Sequence, residues 1–147
     1  MVDFLVIGPH SSIAYNNIVP LFVEDKIRFG YNSVFYYENN MSAIGWWFSN
    51  ISDYCIPDFV FKKKYIESYY KRFDECKDCI NIDRKKDIPG NYFGLMGVPV
   101  STVRDINRSQ FYILGVAHSG VQKYDLFTPY VDGEFKYIRF IIRRIKK

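Results

Sequence analysis

A short and almost continuous apolar run near the start of the chain, residues 3–8, constrains the fold most. It ends in glycine, which is the pattern of a strand covered on both faces. Residues 9–12 interrupt it, and Ile18, Leu21 and Phe22 follow at the spacing of a helix face. This segment therefore predicts a strand, a loop and a helix.

Short strand-like pieces come next, at residues 26–31, 34–37 and 43–51, with turn-forming residues at 32–33 and 38–40. They predict antiparallel strands. Residues 54–87 differ, because they are polar, charged and aromatic without a clear period. We interpret this stretch as an insertion that carries a helix around residues 61–73.

The C-terminal third again favours strands. A short helix is predicted after Pro99, with Ser101 or Thr102 as its cap. Strands are predicted at residues 111–116 and 137–145, the second with one apolar and one mixed face. Asp132-Gly133 is a hairpin signal before that last strand.

Composition excludes several classes of protein. The 147 residues suit one domain of ordinary size, and 48% of them are hydrophobic, enough for a core. A net charge of +4 permits nucleic-acid binding. No run approaches the roughly 18 apolar residues of a membrane span, and three cysteines argue against a secreted disulfide framework. We therefore expect a cytoplasmic protein that contacts no membrane.

The most specific motif lies at residues 79–100 and reads Cys79-Ile-Asn-Ile-Asp83, Lys86-Asp87-Ile-Pro89 and Tyr92-Phe-Gly94-Leu-Met-Gly97-Val-Pro99. It resembles a run in the EcoRI-type adenine-specific DNA methyltransferases, where it stands between the methyl-transfer domain and the C-terminal strands. Other similar segments follow the same order, at residues 4–8, 18–21, 27–31, 44–50, 110–115 and 137–144. The resemblance therefore covers nearly the whole chain.

The resemblance implies an α/β fold, namely the C-terminal part of a Rossmann-like methyltransferase sheet with an inserted recognition region. Residues 1–53 would supply C-terminal strands and a helix of that sheet. Residues 54–110 would form the target-recognition insertion, and residues 111–147 the closing strands. Complete members of restriction-modification type transfer a methyl group from S-adenosylmethionine to N6 of adenine in double-stranded DNA.

Two motifs of the family have no counterpart here, because its catalytic Asn-Pro-Pro-Phe loop and its S-adenosylmethionine loop lie upstream of the segment that resembles residues 4–8. We therefore expect DNA recognition and part of the base pocket from this chain, with no catalytic residue and no cofactor of its own. Two alternatives remain: a non-catalytic DNA-binding module, or an assembly subunit of a split enzyme whose separate N-terminal half carries the missing motifs.

Base-pocket candidates come from the first strand's loop and from an aromatic pair. Ligands gather outside the carboxyl ends of strands in open α/β sheets, and base-modifying enzymes hold an extruded base against aromatic walls. Core packing explains at least one tryptophan equally well. The candidates are His10, Ser11, Trp46, Trp47 and Asn50.

DNA-binding candidates are the basic clusters and three nearby residues able to contact phosphates or base edges. A solvated surface remains the alternative for most single lysines and arginines. The candidates are Lys62, Lys63, Lys64, Arg84, Lys85, Lys86, Ser101, Arg104 and Asn107.

Cys76 and Cys79 have the two-residue gap of a zinc or redox pair. A zinc site needs four ligands and a second such pair is missing, and no thioredoxin-like pattern surrounds them. The sequence therefore predicts reduced, structural cysteines and no metal.

Overall fold

The computed structural model describes residues 2–51, 56–118 and 123–146, except for the side chains of residues 10, 11 and 31–33. The chain divides into two compact units, Met1–Cys55 and Ile56–Lys147. Both units contain strands and a short α-helix, so the predicted mixed α/β class is confirmed.

The N-terminal unit is a three-stranded antiparallel sheet with a short helix. The strands are β1 (Leu5–Gly8), β2 (Arg28–Tyr36) and β3 (Ser42–Ser49), in the order β1-β3-β2. A 3-10 helix at His10–Ala14 and the α-helix α1 (Val19–Val23) connect β1 to β2. The predicted order of strand, helix and antiparallel strands is confirmed.

The core of this unit is aromatic. Phe29 of β2 is 2% exposed, and its ring centroid lies 5.7 Å from that of Phe22 in α1 and 5.0 Å from that of Phe48 in β3. Ile13 and Val19, in the segment that connects β1 to β2, are fully buried. The helix is thus fixed to the sheet through apolar burial, since five residues are too few for a helix stable in isolation.

Two expectations for this unit were wrong. Residues 32–33 do not form a turn, because β2 continues through them with a register shift between Phe29 and Asn32. Nor is β1 covered on both faces, since Leu5, Val6 and Ile7 are 55%, 49% and 42% exposed. Because β1 is an edge strand of the described sheet, its side chains have side chains of a neighbouring strand on one side only.

The C-terminal unit is built on a five-stranded mixed sheet. Its strands are β4 (Cys79–Asn81), β5 (Leu95–Pro99), β6 (Phe111–Ala117), β7 (Asp125–Phe127) and, last in the chain, β10 (Arg139–Arg144). Their order is β4-β5-β10-β6-β7. The central strand β10 runs antiparallel to β5 and β6, whereas the outer pairs β4/β5 and β6/β7 are parallel.

The burial of β10 shows that its predicted mixed face is covered as well as its apolar face. Phe140, Ile141 and Ile142 are fully buried, and Arg139 is only 8% exposed. Both faces of the strand are therefore covered by packed side chains over residues 139–142, and Ile141 joins a buried cluster that contains Phe73.

The helix expected around residues 61–73 does not form in this fully described segment, which shows only a 3-10 turn at Glu67–Tyr69. Backbone groups of this segment pair with a later segment instead of with each other. Lys63 bridges to Pro89, Arg72 bridges to Ile80, and the N–H of Gly90 donates to the carbonyl of Lys63. Cross-chain pairing satisfies groups that a helix would have satisfied internally.

The predicted helix after Pro99 is confirmed as α2 (Val100–Val103). Its N-cap is Pro99 and no side chain caps it, so the assignment of Ser101 or Thr102 as cap was wrong; both lie inside the helix. No helix in the described ranges is long and apolar enough to span a membrane.

The predicted hairpin turn at Asp132-Gly133 is confirmed, but it joins β8 (Tyr130–Val131) to β9 (Glu134–Phe135) and does not lead directly into the last strand, β10. Both turn residues have positive φ, 51° and 76°, as a two-residue type I′ turn requires. The carboxylate of Asp74 accepts the backbone N–H groups of Asp132 and Gly133 at 3.0 and 2.8 Å. These bonds hold the pKa of Asp74 below its usual value.

Gly97→Ala should destabilise the chain by about 1–3 kcal/mol through overpacking. A Cβ at this position of β5 would lie 2.6 Å from the ring of Phe73, which is fully buried. Urea denaturation of Gly97→Ala, Phe73→Leu and the double variant measures the coupling. The alanine should cost less in the Phe73→Leu background than in the unaltered chain, and strictly additive costs would contradict the steric explanation.

Candidate nucleic-acid interface

Two basic clusters that are about twenty residues apart in sequence lie side by side in the C-terminal unit. Residues 62–64 run parallel to the chain after residues 84–87, with Lys63 bridged to Pro89. The N–H of Gly90 donates to the carbonyl of Lys63 at 2.8 Å. Backbone pairing therefore brings the two clusters together, and five of their six lysines and arginines line one or both of two clefts.

Asp87 joins the two clusters. Its carboxylate accepts hydrogen bonds from Nζ of Lys63 at 2.5 Å and from Nε of Arg84 at 2.9 Å. The hydroxyl of Tyr70 donates to its backbone carbonyl at 2.8 Å. The side chain of Asp87 is 14% exposed, and the bond from Lys63, with help from Arg84, lowers the pKa of its carboxyl.

A first cleft of about 580 Å³ opens beside these clusters. Its floor is apolar, with Ile56, Phe59 and Val60, and its cations are Lys62, Arg84, Lys85 and Lys86. Lys85 is neutralised by Asp105 at 3.0 Å. Within the described ranges, no acidic side chain pairs with Lys62 or Lys86. Those two ammonium groups are therefore available to an external anion.

A second cleft of about 340 Å³ lies on the other side of Arg84, whose side chain lines both clefts. It is lined by Lys63, Tyr69, Tyr70, Asn81, Asp83 and Asp87 besides Arg84. Its wall is more polar than that of the first cleft, because three carboxylate or carboxamide side chains contribute to it.

Arg139 supports the wall of the second cleft from the sheet. Its Nε donates to Oδ1 of Asn81 and its Nη2 to Oδ1 of Asp83, both at 3.2 Å. Asn81 also donates through Nδ2 to Oδ1 of Asp83 at 2.9 Å. Burial lowers the pKa of the Arg139 guanidinium, and the charge of Asp83 opposes this effect.

Sequence reasoning missed Asp83 and Arg139 as members of this region. The alternation of the last strand suggested that Arg139 lies on a mixed face. One signal in the sequence could have indicated them, namely the spacing Asn81-x-Asp83 inside the most specific motif. The side-chain oxygens of asparagine and aspartate can accept hydrogen bonds from a buried guanidinium.

The remaining DNA-binding candidates, Lys64, Ser101, Arg104 and Asn107, do not line either cleft, although Arg104 and Asn107 contact residues that line the first cleft. Ser101 and Lys64 are exposed. Arg104 lies against Asp105, with Nε 3.5 Å from Oδ2. Asn107 donates through Nδ2 to the carbonyl of Ile56 at 2.8 Å and to Asp58 at 2.9 Å. Their roles in DNA binding stay predictions.

The tryptophan pair of the N-terminal unit does not share one wall. Trp46 and Trp47 are consecutive in β3, so their side chains point to opposite faces. The ring of Trp46 meets Phe29 edge-on, with centroids 6.1 Å apart. Trp47 is instead the register partner of Ile7 in β1.

The loop after β1 borders an apolar cavity of about 260 Å³, whose lining includes Gly8, Ser12, Ile18 and Phe48. The side chains of His10 and Ser11 lie outside the described part of the structure. Asn50 accepts the N–H of Phe4 at 2.8 Å and donates to the carbonyl of Val2 at 3.0 Å, so it ties the N-terminal segment to β3. Base-pocket roles for these candidates stay predictions.

Cys76 and Cys79 are free thiols. Burial raises the pKa of the Cys79 thiol, which lies in the core cluster with Phe73. Among the described residues, no group of three His, Cys, Asp or Glu side chains could hold a metal ion. A raised pKa makes Cys79 a poor nucleophile, since the thiolate is the reactive form.

Comparison with known proteins supplies the class. Residues 36–144 match the family model described as "Adenine-specific methyltransferase EcoRI". Because this match covers more than half of the chain, the chain belongs to the EcoRI family of adenine-specific methyltransferases. The resemblance stated from the motifs is thereby confirmed.

Three relatives define the extent of the similarity. Type II methyltransferase M.EcoRI of Escherichia coli is 28% identical over 95% of this chain and 49% of its own length. Type II methyltransferase M.MpnI of Mycoplasma pneumoniae is 24% identical over 97% of this chain and 56% of its own length. Type II methyltransferase M.MgeORF184P of Mycoplasma genitalium is 26% identical over 97% of this chain and 57% of its own length. The chain thus spans about half the length of these relatives. No solved structure matches it significantly.

Asp87→Asn should lower the free energy of unfolding by about 1 kcal/mol at neutral pH, because Lys63 and Arg84 lose their shared carboxylate. A lowered folded-state pKa adds stability above the unfolded pKa of about 4, and this stability is lost as pH falls through the folded value. Urea denaturation between pH 3 and 7 should show the two proteins converging at low pH. A difference that is independent of pH would contradict the ion-pair explanation.

Proposed function

We propose that this chain is the C-terminal portion of a DNA N6-adenine methyltransferase and that it contributes contacts to double-stranded DNA. Family membership supports the class of substrate. The observation that carries the DNA role is the gathering of two separate basic clusters around the two clefts, with Lys62 and Lys86 available to phosphates.

The chemistry of phosphate contact suits this arrangement. A lysine that is already paired with a carboxylate must lose that partner, or share it, to meet a phosphate. Lys62 and Lys86 need no such exchange within the described residues, so each can displace a condensed counterion from DNA directly. Arg84 adds a planar guanidinium between the clefts, a group suited to phosphate oxygens.

The methyl transfer itself is proposed to depend on the other half of a complete enzyme. That half would bind S-adenosylmethionine and carry an Asn-Pro-Pro-Phe loop, a tetrapeptide that this sequence does not contain. Hydrogen-bond acceptors fixed beside the adenine amine raise its nucleophilicity. Labelled methyl transfer to duplex DNA by this chain alone would contradict this division of labour.

The N-terminal unit is proposed to be part of the Rossmann-like sheet and one wall of the adenine pocket. Its loop after β1 and the adjoining 260 Å³ cavity stand at the carboxyl end of that strand, where open α/β sheets bind ligands. Trp46 and Trp47 offer aromatic surface on both faces of β3, of which only one can border such a pocket.

Replacement of Lys62 and Lys86 by alanine should weaken binding of duplex DNA and flatten its dependence on salt. The slope of log K against log salt should fall by about 0.9 for each phosphate contact that is lost, hence by about 2 for the double variant. Anisotropy of a labelled random-sequence duplex across a NaCl series measures both quantities.

A matched control removes two other lysines of the same unit. Lys71 and Lys77 are paired with Asp132 and Asp74 and line neither cleft, so their double alanine variant should leave the slope nearly unchanged. Equal losses in the two double variants would mean that only net charge matters, and absence of salt-dependent binding would overturn the proposal.

One observation favours the alternative of an assembly subunit. The N-terminal sheet exposes apolar side chains on β1 and on the β2/β3 pair. Their exposed fractions lie between 42% and 60%, and they are Leu5, Val6, Ile7, Val34 and Ile44. Edge strands with apolar surface invite pairing with another chain. The partner under this alternative is the separate N-terminal half of a split methyltransferase.

Val34→Lys combined with Ile44→Glu should abolish such assembly without unfolding the sheet. The two residues are register partners on β2 and β3, so the new charges lie opposite each other and attract. Sedimentation of the chain, alone and with a co-expressed N-terminal half, gives the readout. Unchanged association in the double variant, with an unchanged circular dichroism spectrum, would exclude this face as the interface.

A further inference from the structure

We propose that Asp83 determines sequence specificity by accepting a hydrogen bond from the exocyclic amino group of a DNA base in the second cleft. This inference rests on the proposed DNA contact and adds the chemical group that the contact recognises. Adenine N6 and cytosine N4 are the two sources of such an amino group in the major groove.

The two oxygens of Asp83 have different surroundings. Oδ1 accepts from Nη2 of Arg139 at 3.2 Å and from Nδ2 of Asn81 at 2.9 Å. No residue in the described ranges bonds to Oδ2. The side chain is 64% exposed and lines the second cleft. One oxygen is therefore anchored in the protein, and the other remains an open acceptor.

The anchors themselves are rigid. Arg139 and Asn81 are each 8% exposed, and they lie on the central strand β10 and at the end of β4. A carboxylate held by two buried donors has lost its rotational freedom before any ligand arrives. Its hydrogen bond to a base would consequently cost little additional side-chain entropy.

The charge of Asp83 selects the kind of group it can meet. Lys63 and Arg84 line the same cleft and could meet a phosphate only by sharing Asp87 or releasing it, whereas a carboxylate repels phosphates. Against DNA, the open oxygen gains energy only from a donor, and base amino groups are the donors exposed in the major groove. Pairing with Arg139 uses only Oδ1 of Asp83. This structural role therefore does not explain why Oδ2 faces the cleft without a partner among the described residues.

Tyr69 complements this acceptor. Its side chain lines the same cleft and is 74% exposed, which leaves an aromatic face available to a base or sugar. The cleft thus combines an acceptor, an aromatic surface and two cations, the groups required to contact a base and its phosphate together.

The test uses Asp83→Asn in the full 147-residue chain. The asparagine should keep its carbonyl oxygen toward the donors of Arg139 and Asn81, because its NH2 group would meet other N–H groups there. The NH2 group then faces the cleft, so a donor replaces the open acceptor Oδ2 of Asp83. Selection from a pool of random duplexes should show a preference for adenine or cytosine at one position for the unaltered chain. The variant should lose that preference by about 5- to 150-fold and shift toward guanine or thymine, whose edges accept.

A second arm needs no variant. The selected duplex is remade with N6-methyladenine or N4-methylcytosine at the preferred position, which replaces the major-groove hydrogen of the amino group. Loss of preference with one of these duplexes identifies the base that supplies the donor. Retained preference with both would overturn the inference, even if Asp83→Asn fails to fold.

Asp78→Asn is the matched control, since it makes the same charge change at an exposed carboxylate that lines neither cleft. It should leave the base preference unaltered. An unaltered preference in Asp83→Asn would reduce Asp83 to a counterion of Arg139 and overturn the inference. Salt-dependent binding without any preference in the unaltered chain would overturn it as well, yet leave the proposed function standing. Absence of all DNA binding would contradict the proposed function itself.

Discussion

The buried guanidinium of Arg139 is the interaction on which the arrangement of the C-terminal unit depends. A charge on the central strand of a sheet requires partners, because an unpaired buried charge is strongly destabilising. Asn81 and Asp83 supply them, and they lie at the end of β4 and just beyond it. The hydrogen bonds to Arg139 therefore fix the position at which the chain leaves β4 and continues into the basic cluster at residues 84–86.

The most specific motif of the sequence acquires a physical meaning from this constraint. Asn81 and Asp83 hold Arg139, Asp87 holds Lys63 and Arg84, and Gly97 admits the ring of Phe73 against β5. These residues maintain the sheet and the cation-bearing surface at once. Core packing and the placement of the cations are consequently linked in this unit, because residues of the same motif pack in the sheet and hold the side chains of Lys63 and Arg84.

Sequence patterns located β1, β2, β3, β6 and β10 but not the shorter strands or the relations between distant segments. The strand at β6 and the turn at Asp132-Gly133 follow from local alternation and turn chemistry, which depend on neighbours along the chain. The segment at residues 61–73 was assigned wrongly because its backbone partners are Ile80, Pro89 and Gly90, far away in sequence. The basic clusters were recognisable as candidates, whereas their gathering through Asp87 depends on that same long-range pairing.

The carboxylates within this basic region reduce its positive charge and hold several of its cations in fixed positions. Asp83, Asp87 and Asp105 each offset part of the positive charge of this region, so it would attract a phosphate less strongly than its lysines and arginines alone would. In return, Lys63, Arg84 and Lys85 are held in defined positions. A surface that only had to adhere to DNA would gain nothing from these ion pairs. Fixed cations beside an anchored acceptor instead suit an interface that must place one particular base.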